Sequence, residues 1–184
     1  MIFGNKCFII IAKWGEVGEN VPFSHKFPAI DRRWRQIPTK GDGRMSFVGS
    51  FKHSLDAKKR VFIPSKFREE LGDEFYITRK FDTYLSIYTA EDWAAYVEKI
   101  ERLPESEAVE IQDFLLGAAQ KCVPDASGRI ILDDRLADHA GIVKNIVFVG
   151  AGRQIRIWAE ETWNERESTR DLAKMRELMK QYGL

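Results

Sequence analysis

Leu55-Asp56-Ala57-Lys58-Lys59-Arg60-Val61-Phe62-Ile63 returns 69 positions later as Pro124-Asp125-Ala126-Ser127-Gly128-Arg129-Ile130-Ile131-Leu132. Both stretches read D-A-x-x-R followed by three apolar residues. A second block, Leu85-Ser86-Ile87-Tyr88-Thr89-Ala90-Glu91-Asp92-Trp93, returns 70 positions later as Ile155-Arg156-Ile157-Trp158-Ala159-Glu160-Glu161-Thr162-Trp163. Two blocks in the same order at nearly the same offset mean that the chain holds two copies of one supersecondary unit.

Each copy carries the same pattern. The apolar run after D-A-x-x-R predicts a strand. Ser65 to Gly72 and Asp133 to Gly141 each begin with a capping-type residue and stop at Gly, which predicts two short helices. Strands are expected over 74–79 and 145–149, then over 84–88 and 154–158, with helices opening near Thr89 and Glu160. Between the copies, Val109, Ile111, Phe114, Leu115 and Ala118 recur near helical spacing and predict a connecting amphipathic helix within 104–119. The charged tail from Asn164 to Tyr182 places Leu172, Met175, Leu178 and Met179 on one side, so it is read as a helix that packs on a neighbour or is partly exposed. The resulting division is 45–103 for the first repeat, 104–119 for the connector, 120–163 for the second repeat and 164–184 for the C-terminal helix.

The first 44 residues differ, with scattered Gly and Pro, the basic knot Asp31-Arg32-Arg33-Trp34-Arg35 and no sustained period. Lys40-Gly41-Asp42 can be encoded by a purine-rich ribosome-binding sequence just before Met45. Residues 1–44 are therefore expected to be a translated upstream leader and Met45 the natural start; a basic arm reaching along DNA is the alternative.

At 184 residues, 44% hydrophobic and 12% aromatic, the chain has enough apolar material for a real core. Its longest strongly apolar run, Cys7 to Ala12, is far short of the ~20 residues that span a bilayer. No signal-peptide pattern follows it, so a cytoplasmic protein is expected. Cys7 and Cys122 have neither metal-ligand spacing nor a disulfide pattern and are read as reduced thiols.

Nothing here assembles an active site. His25, His53 and His139 are isolated from one another and from both cysteines. Glu91-Asp92 and Glu160-Glu161 are neighbours that do not face each other on a helix, and they suit helix starts better than acid–base work. Phe148-Val149-Gly150-Ala151-Gly152 resembles the opening of a dinucleotide fingerprint, but the alternating residues after it favour a hairpin turn. Neither an enzyme nor a cofactor is expected.

Charge is informative locally. The net +1 divides into +4 over residues 1–44 and −3 over the remainder, so polyanion affinity in the main body must come from a cluster. That cluster is the first motif: Lys52, Lys58, Lys59 and Arg60 against Asp56 give +3 over 52–60, whereas 121–129 carries +1. Asp56 and Asp125 suit tight turns, and Gly128 supplies a position where positive φ is free. Arg60 and Arg129 would then project from strand starts. Each Arg could simply pair with its own Asp, or the turns could present cations to phosphates and arginines to guanine.

These residues resemble the MraZ family, bacterial transcriptional regulators built from two SpoVT/AbrB-like halves. In the first half the match rests on Gly49, Asp56-Ala57-Lys58-Lys59-Arg60-Val61-Phe62-Ile63-Pro64, Phe67-Arg68, and Leu85-Ser86-Ile87-Tyr88 with Trp93. In the second it rests on Leu116-Gly117-Ala118-Ala119, Asp125-Ala126-Ser127-Gly128-Arg129-Ile130, Ala140-Gly141, Val149-Gly150 and Ile157-Trp158. The resemblance implies a β-rich α+β fold of two pseudo-two-fold-related halves, of the swapped-hairpin, double-split β-barrel type. It also implies a homo-oligomeric ring in the nucleoid that binds direct repeats in double-stranded DNA upstream of its own division and cell-wall genes. Lys52, Lys58, Lys59, Arg60 and Arg129 would contact DNA, and Asp56, Asp125 and Gly128 would shape the loops. Lys59 stands where the family usually has Gly, so the first turn is expected to differ from the second; Arg156 replaces a common acidic residue. An oligomeric scaffold without a sequence-specific DNA role is the alternative function.

Overall fold

The structure, a computed structural model, describes residues 47–184. The expectations for residues 1–44, for Met45 as a start, and for Cys7 and His25 lie outside the described residues. The described chain runs β1 (Ser50–Ser54), β2 (Arg60–Phe62), α1 (Ser65–Leu71), β3 (Phe75–Arg79), β4 (Leu85–Thr89), α2 (Ala90–Glu101) and α3 (Glu105–Leu115). The second half follows as β5 (Gln120–Cys122), β6 (Arg129–Ile131), α4 (Asp134–His139), β7 (Asn145–Gly150), β8 (Ile155–Ala159), α5 (Glu160–Ser168) and α6 (Leu172–Gln181).

A six-stranded antiparallel sheet in the order β1-β7-β8-β4-β3-β5 is joined by a two-stranded ribbon, β2-β6. Exchanging the two halves reverses that order onto itself. The register locates the axis: β4 and β8 centre on Ser86 opposite Arg156, and β2 and β6 centre on Val61 opposite Ile130. Each pair consists of equivalent residues of the two repeats, which requires a pseudo-two-fold axis through both pairings. The halves also trade strands. Phe51 of β1 lies opposite Phe148 of β7, and Gln120 of β5 lies opposite Ile77 of β3. Each half thus completes the other's hairpin, which is the swapped-hairpin α+β fold.

The core lies between the sheet and the ribbon, and it is built from equivalent pairs. Val61 and Ile130, Phe67 and Leu136, Ile77 and Phe148, and Ile87 and Ile157 are all buried. Strand alternation turns Ser86, Tyr88, Arg156 and Trp158 to the other face, where Trp93 and Tyr96 of α2 stack on Tyr76 and Tyr88 respectively. Thr78 Oγ1 donates to the Leu115 carbonyl at 2.5 Å, tying the connecting helix to the same face.

Local signals behave as their chemistry dictates, with three differences. Thr89 caps α2 by accepting from Asp92 N at 3.1 Å, and Asp133 caps α4 by accepting from Arg135 N at 2.9 Å. Ser65, however, lies inside the first turn of α1; Pro64 occupies the N-cap and offers no side-chain bond. The connecting helix buries Ala108 and Leu115 and exposes Val109. The charged tail forms two helices, because Asp171 accepts from Lys174 N at 2.9 Å and starts α6 afresh. The apolar residues of α6 are exposed. Residues 151–154 form a hairpin turn, closed by Ala151 N donating to the Gln154 carbonyl at 2.9 Å.

Candidate nucleic-acid interface

The two D-A-x-x-R segments fold into turns closed by the same set of hydrogen bonds. Asp56 Oδ1 accepts from Lys58 N at 2.8 Å and Arg60 N at 2.9 Å, while Oδ2 accepts from Arg60 Nε at 2.7 Å and Nη2 at 2.6 Å. Asp125 Oδ1 accepts from Ser127 N and Arg129 N at 2.9 Å each, while Oδ2 accepts from Arg129 Nε and Nη2 at 2.8 Å each. One carboxylate thus ties both the turn and its arginine. The arginine beside each carboxylate lowers its pKa: Asp56 falls to about 2, led by the Arg60 side-chain bond. Asp125 is also lowered, led by the Arg129 backbone amide.

Lys59 does not make the first turn different. It adopts φ 56°, the one left-handed non-Gly residue among those described, and so matches Gly128 at φ 77°. The expected departure is absent because lysine accepts the conformation glycine would take, at a backbone cost of ~1–2 kcal/mol. Both residues serve the opposite half: Ile63 N donates to the Gly128 carbonyl and Leu132 N to the Lys59 carbonyl, each at 3.0 Å.

Surroundings separate the turns where backbone does not. A Cβ on Gly128 would sit 2.1 Å from Arg68 Nη1, so the Arg68 side chain fills the space above that turn. The residue equivalent to Arg68 is Ala137, which leaves room for the Lys59 side chain. The Lys59 ammonium bonds Asp134, and that carboxylate, with Asp138 and Asp133 behind it, raises the lysine's pKa.

The ribbon brings the motif arginines together. In its register Arg60 faces Ile131, and Phe62 faces Arg129. Val61 and Ile130 point inward, so Arg60, Phe62, Arg129 and Ile131 form one outward face, where Phe62 is 50% and Ile131 60% exposed. Arg60, Arg129 and Lys121 line a single cleft beside it. The arginines keep partial exposure, with side chains 31% and 27% accessible. Each spends Nε and one Nη on its aspartate, and a guanidinium carries five N–H groups, so donors remain to point outward.

The other proposed contacts are distributed differently. The Lys58 ammonium has no partner among the described residues. Lys52 sits on β1 with its ammonium 2.7 Å from Glu160, outside the residues that line the cleft. Sequence reasoning passed over Phe62, Ile131, Lys121 and Arg68. The first two were detectable, since a strand that starts with an outward Arg and buries the next residue must turn the third outward.

Groups that could do other chemistry are occupied elsewhere. His139 Nε2 lies 2.8 Å from the Lys80 carbonyl and stitches α4 to the first hairpin. Burial pushes the Cys122 thiol up to about 12. Among the described residues no cluster of His, Cys, Asp and Glu could hold a metal ion, and no helix is long and apolar enough to cross a membrane.

Comparison with known proteins agrees with the doubled architecture. Residues 46–113 and 115–180 match, as two successive copies, the family described as "MraZ protein, putative antitoxin-like". The chain is 39% identical over 139 residues to the transcriptional regulator MraZ of Lachnoclostridium phytofermentans, covering 75% of this chain and 98% of the relative. It is 37% identical over 128 residues to the protein of the same name from Caldanaerobacter subterraneus subsp. tengcongensis, covering 68% and 90%. A third, from Natranaerobius thermophilus, is 41% identical over 120 residues, covering 64% and 84%. With both repeats matched and relatives covered over most of their length, the chain belongs to the MraZ family.

Proposed function

We propose that the protein is a DNA-binding transcriptional regulator that uses the outward face of the β2-β6 ribbon to read duplex DNA. The observation that carries this reading is the convergence of Arg60 and Arg129, 69 positions apart, on adjacent strands of one exposed ribbon. A two-stranded ribbon fits the major groove, and an arginine with two free N–H groups matches guanine O6 and N7. Asp56 and Asp125 orient the guanidiniums in advance, which limits the entropy lost on binding. Lys58 takes a phosphate directly, and Lys52 and Lys59 add phosphate contacts by exchanging Glu160 and Asp134 for the polyanion. The names carried by the relatives agree with this reading.

The asymmetry of the halves favours direct repeats over palindromes. The ribbon's pseudo-two-fold is broken by Lys59 against Gly128 and by Phe62 against Ile131, so each protomer's site has a direction. A homo-oligomeric ring of such protomers presents successive faces to successive direct repeats, and effective concentration makes up for weak single contacts. We place these repeats upstream of the protein's own division and cell-wall genes, in the nucleoid of the cytoplasm. In this reading 45–103 and 120–163 are the working halves, held by the connector 104–119 and followed by the C-terminal 164–184.

Fluorescence anisotropy of the full chain on its own upstream DNA and on a scrambled duplex tests the proposal. Tighter binding to the native duplex is expected, with Arg60→Ala and Arg129→Ala each losing about fivefold or more, the ~1–3 kcal/mol of a bidentate guanine contact. Equal binding to both duplexes, unchanged by either substitution, would favour the scaffold.

A further inference from the structure

Phe62 and Ile131 contribute nothing to the buried core. Their inward neighbours Val61 and Ile130 fill the core, while these two side chains stand 50% and 60% exposed on the other side of three-residue strands. Each lies directly opposite an arginine, so the face alternates apolar and cationic groups in both directions. The Arg129 guanidinium sits 5.6 Å from the centre of the Phe62 ring, which fixes the two side chains relative to each other. Lys58, whose ammonium has no partner among the described residues, adds a cation beside this face, and Lys121 on the cleft wall can exchange Glu74, 2.7 Å from its ammonium, for a polyanion. An apolar patch set between guanidiniums in such a field has one matching surface in duplex DNA: the thymine C5-methyl groups, the only methyl groups that the four bases present in the major groove.

We propose that Phe62 and Ile131 are specificity-determining residues that cover thymine methyl groups while Arg60 and Arg129 bond guanine beside them. The inference rests on the DNA-binding reading and adds a second base to its recognition. Because the aromatic ring belongs to the first half and the smaller aliphatic side chain to the second, the two ends of the ribbon differ in how much methyl surface they cover. The site read is therefore guanine and thymine in fixed order, the same direction in every protomer.

The experiment compares the full chain on its own upstream duplex amplified with thymidine or with deoxyuridine triphosphate, beside a scrambled duplex of each kind. Uracil keeps every phosphate and the O4 acceptor and lacks only the methyl group. The native chain is expected to bind the thymine duplex about fourfold more tightly for each methyl covered. Phe62→Ser and Ile131→Ser, which leave the core untouched and are checked for unchanged thermal unfolding, are each expected to shrink that ratio, and the double variant to abolish it. A native ratio of one, or a ratio that survives in the double variant, overturns the proposal while leaving DNA binding intact. If neither native duplex binds above its scrambled control, the DNA-binding reading itself fails, and this inference with it.

Discussion

The turn at Asp56 and the turn at Asp125 share a backbone and differ in what lies above it. Both close with the same carboxylate bonds, both place their fourth residue in the left-handed region, and both hand that residue's carbonyl to the opposite half. Yet the first carries Lys58 and Lys59, with Lys59 leaning on Asp134, whereas the second carries Ser127 and Gly128 beneath the Arg68 guanidinium. A duplicated unit keeps the geometry that aims its arginine and varies the charge around it. The pseudo-two-fold ribbon thereby gains ends that carry different cations, Lys58 on the first turn and Arg68 over the second, without losing its register.

The comparison breaks most sharply if the first turn's residue is forced on the second. Gly128→Lys would put a side chain into left-handed backbone and into the space that Arg68 occupies. The expected loss is about 2 kcal/mol of stability, combining left-handed strain with overpacking, and is read by denaturant unfolding. In an Arg68→Ala background the loss should fall to about 1 kcal/mol, the strain alone. An equal loss in both backgrounds would mean that Arg68 does not distinguish the turns.

Much of this arrangement was legible in the amino-acid order, and the gaps have physical causes. The repeat offset located the turns and the strands and helices that follow them, because each copy had to bury the same alternation of residues, whereas β1 and β5 ahead of the turns had no strand assigned to them. What alternation cannot show is partner choice. Phe51 reads equally well beside its own half's Ile77 or beside Phe148, and only long-range packing selects the latter. β2 and β6 are three residues long, too short for periodicity, so the meeting of Arg60 with Arg129 on one face had no local signature. Lys59 misled because composition marks positive φ by Gly or Asn, and a lysine held there by its neighbours carries no such mark. The break before Asp171 was hidden because Arg170 and Asp171 also suit an uninterrupted charged helix.

Lys59 allows a finer test, since two small opposing terms act there. Replacing it by Gly removes ~1 kcal/mol of left-handed strain, partly offset by glycine's larger unfolded-state freedom. It also loses an ion pair with Asp134, which lies in the open and contributes little. Lys59→Gly should therefore stabilise the protein slightly, while Lys59→Ala, which keeps the strain and loses the pair, should destabilise it slightly. Opposite signs in denaturant midpoints would show that strain outweighs the ion pair; equal destabilisation would reverse that order.

The smallest expected difference concerns the two carboxylates. Asp56 is held at about 2 against an ordinary 3.8, and the bond from the Arg60 side chain is the larger cause. Asp125 is lowered with the Arg129 backbone amide as the larger cause. A carboxylate lowered in the fold stabilises the protein above its ordinary pKa and loses that contribution as pH falls through the folded value. The first turn should therefore loosen on acidification from about pH 4 towards pH 2, and the second below the ordinary carboxylate range, as these groups protonate. Removing the guanidiniums should then separate them. Arg60→Ala takes away the largest cause at Asp56 and should raise its titration towards 3.8, so that the first turn loosens at higher pH. Arg129→Ala leaves the Asp125 carboxylate with its backbone donors, the larger cause there, and should move its titration less. Carboxyl carbon NMR titration of the native chain and both variants reads the difference directly. Equal shifts in the two variants would mean that the turns hold their aspartates in the same way, and that the asymmetry between the halves stops at the side chains above them.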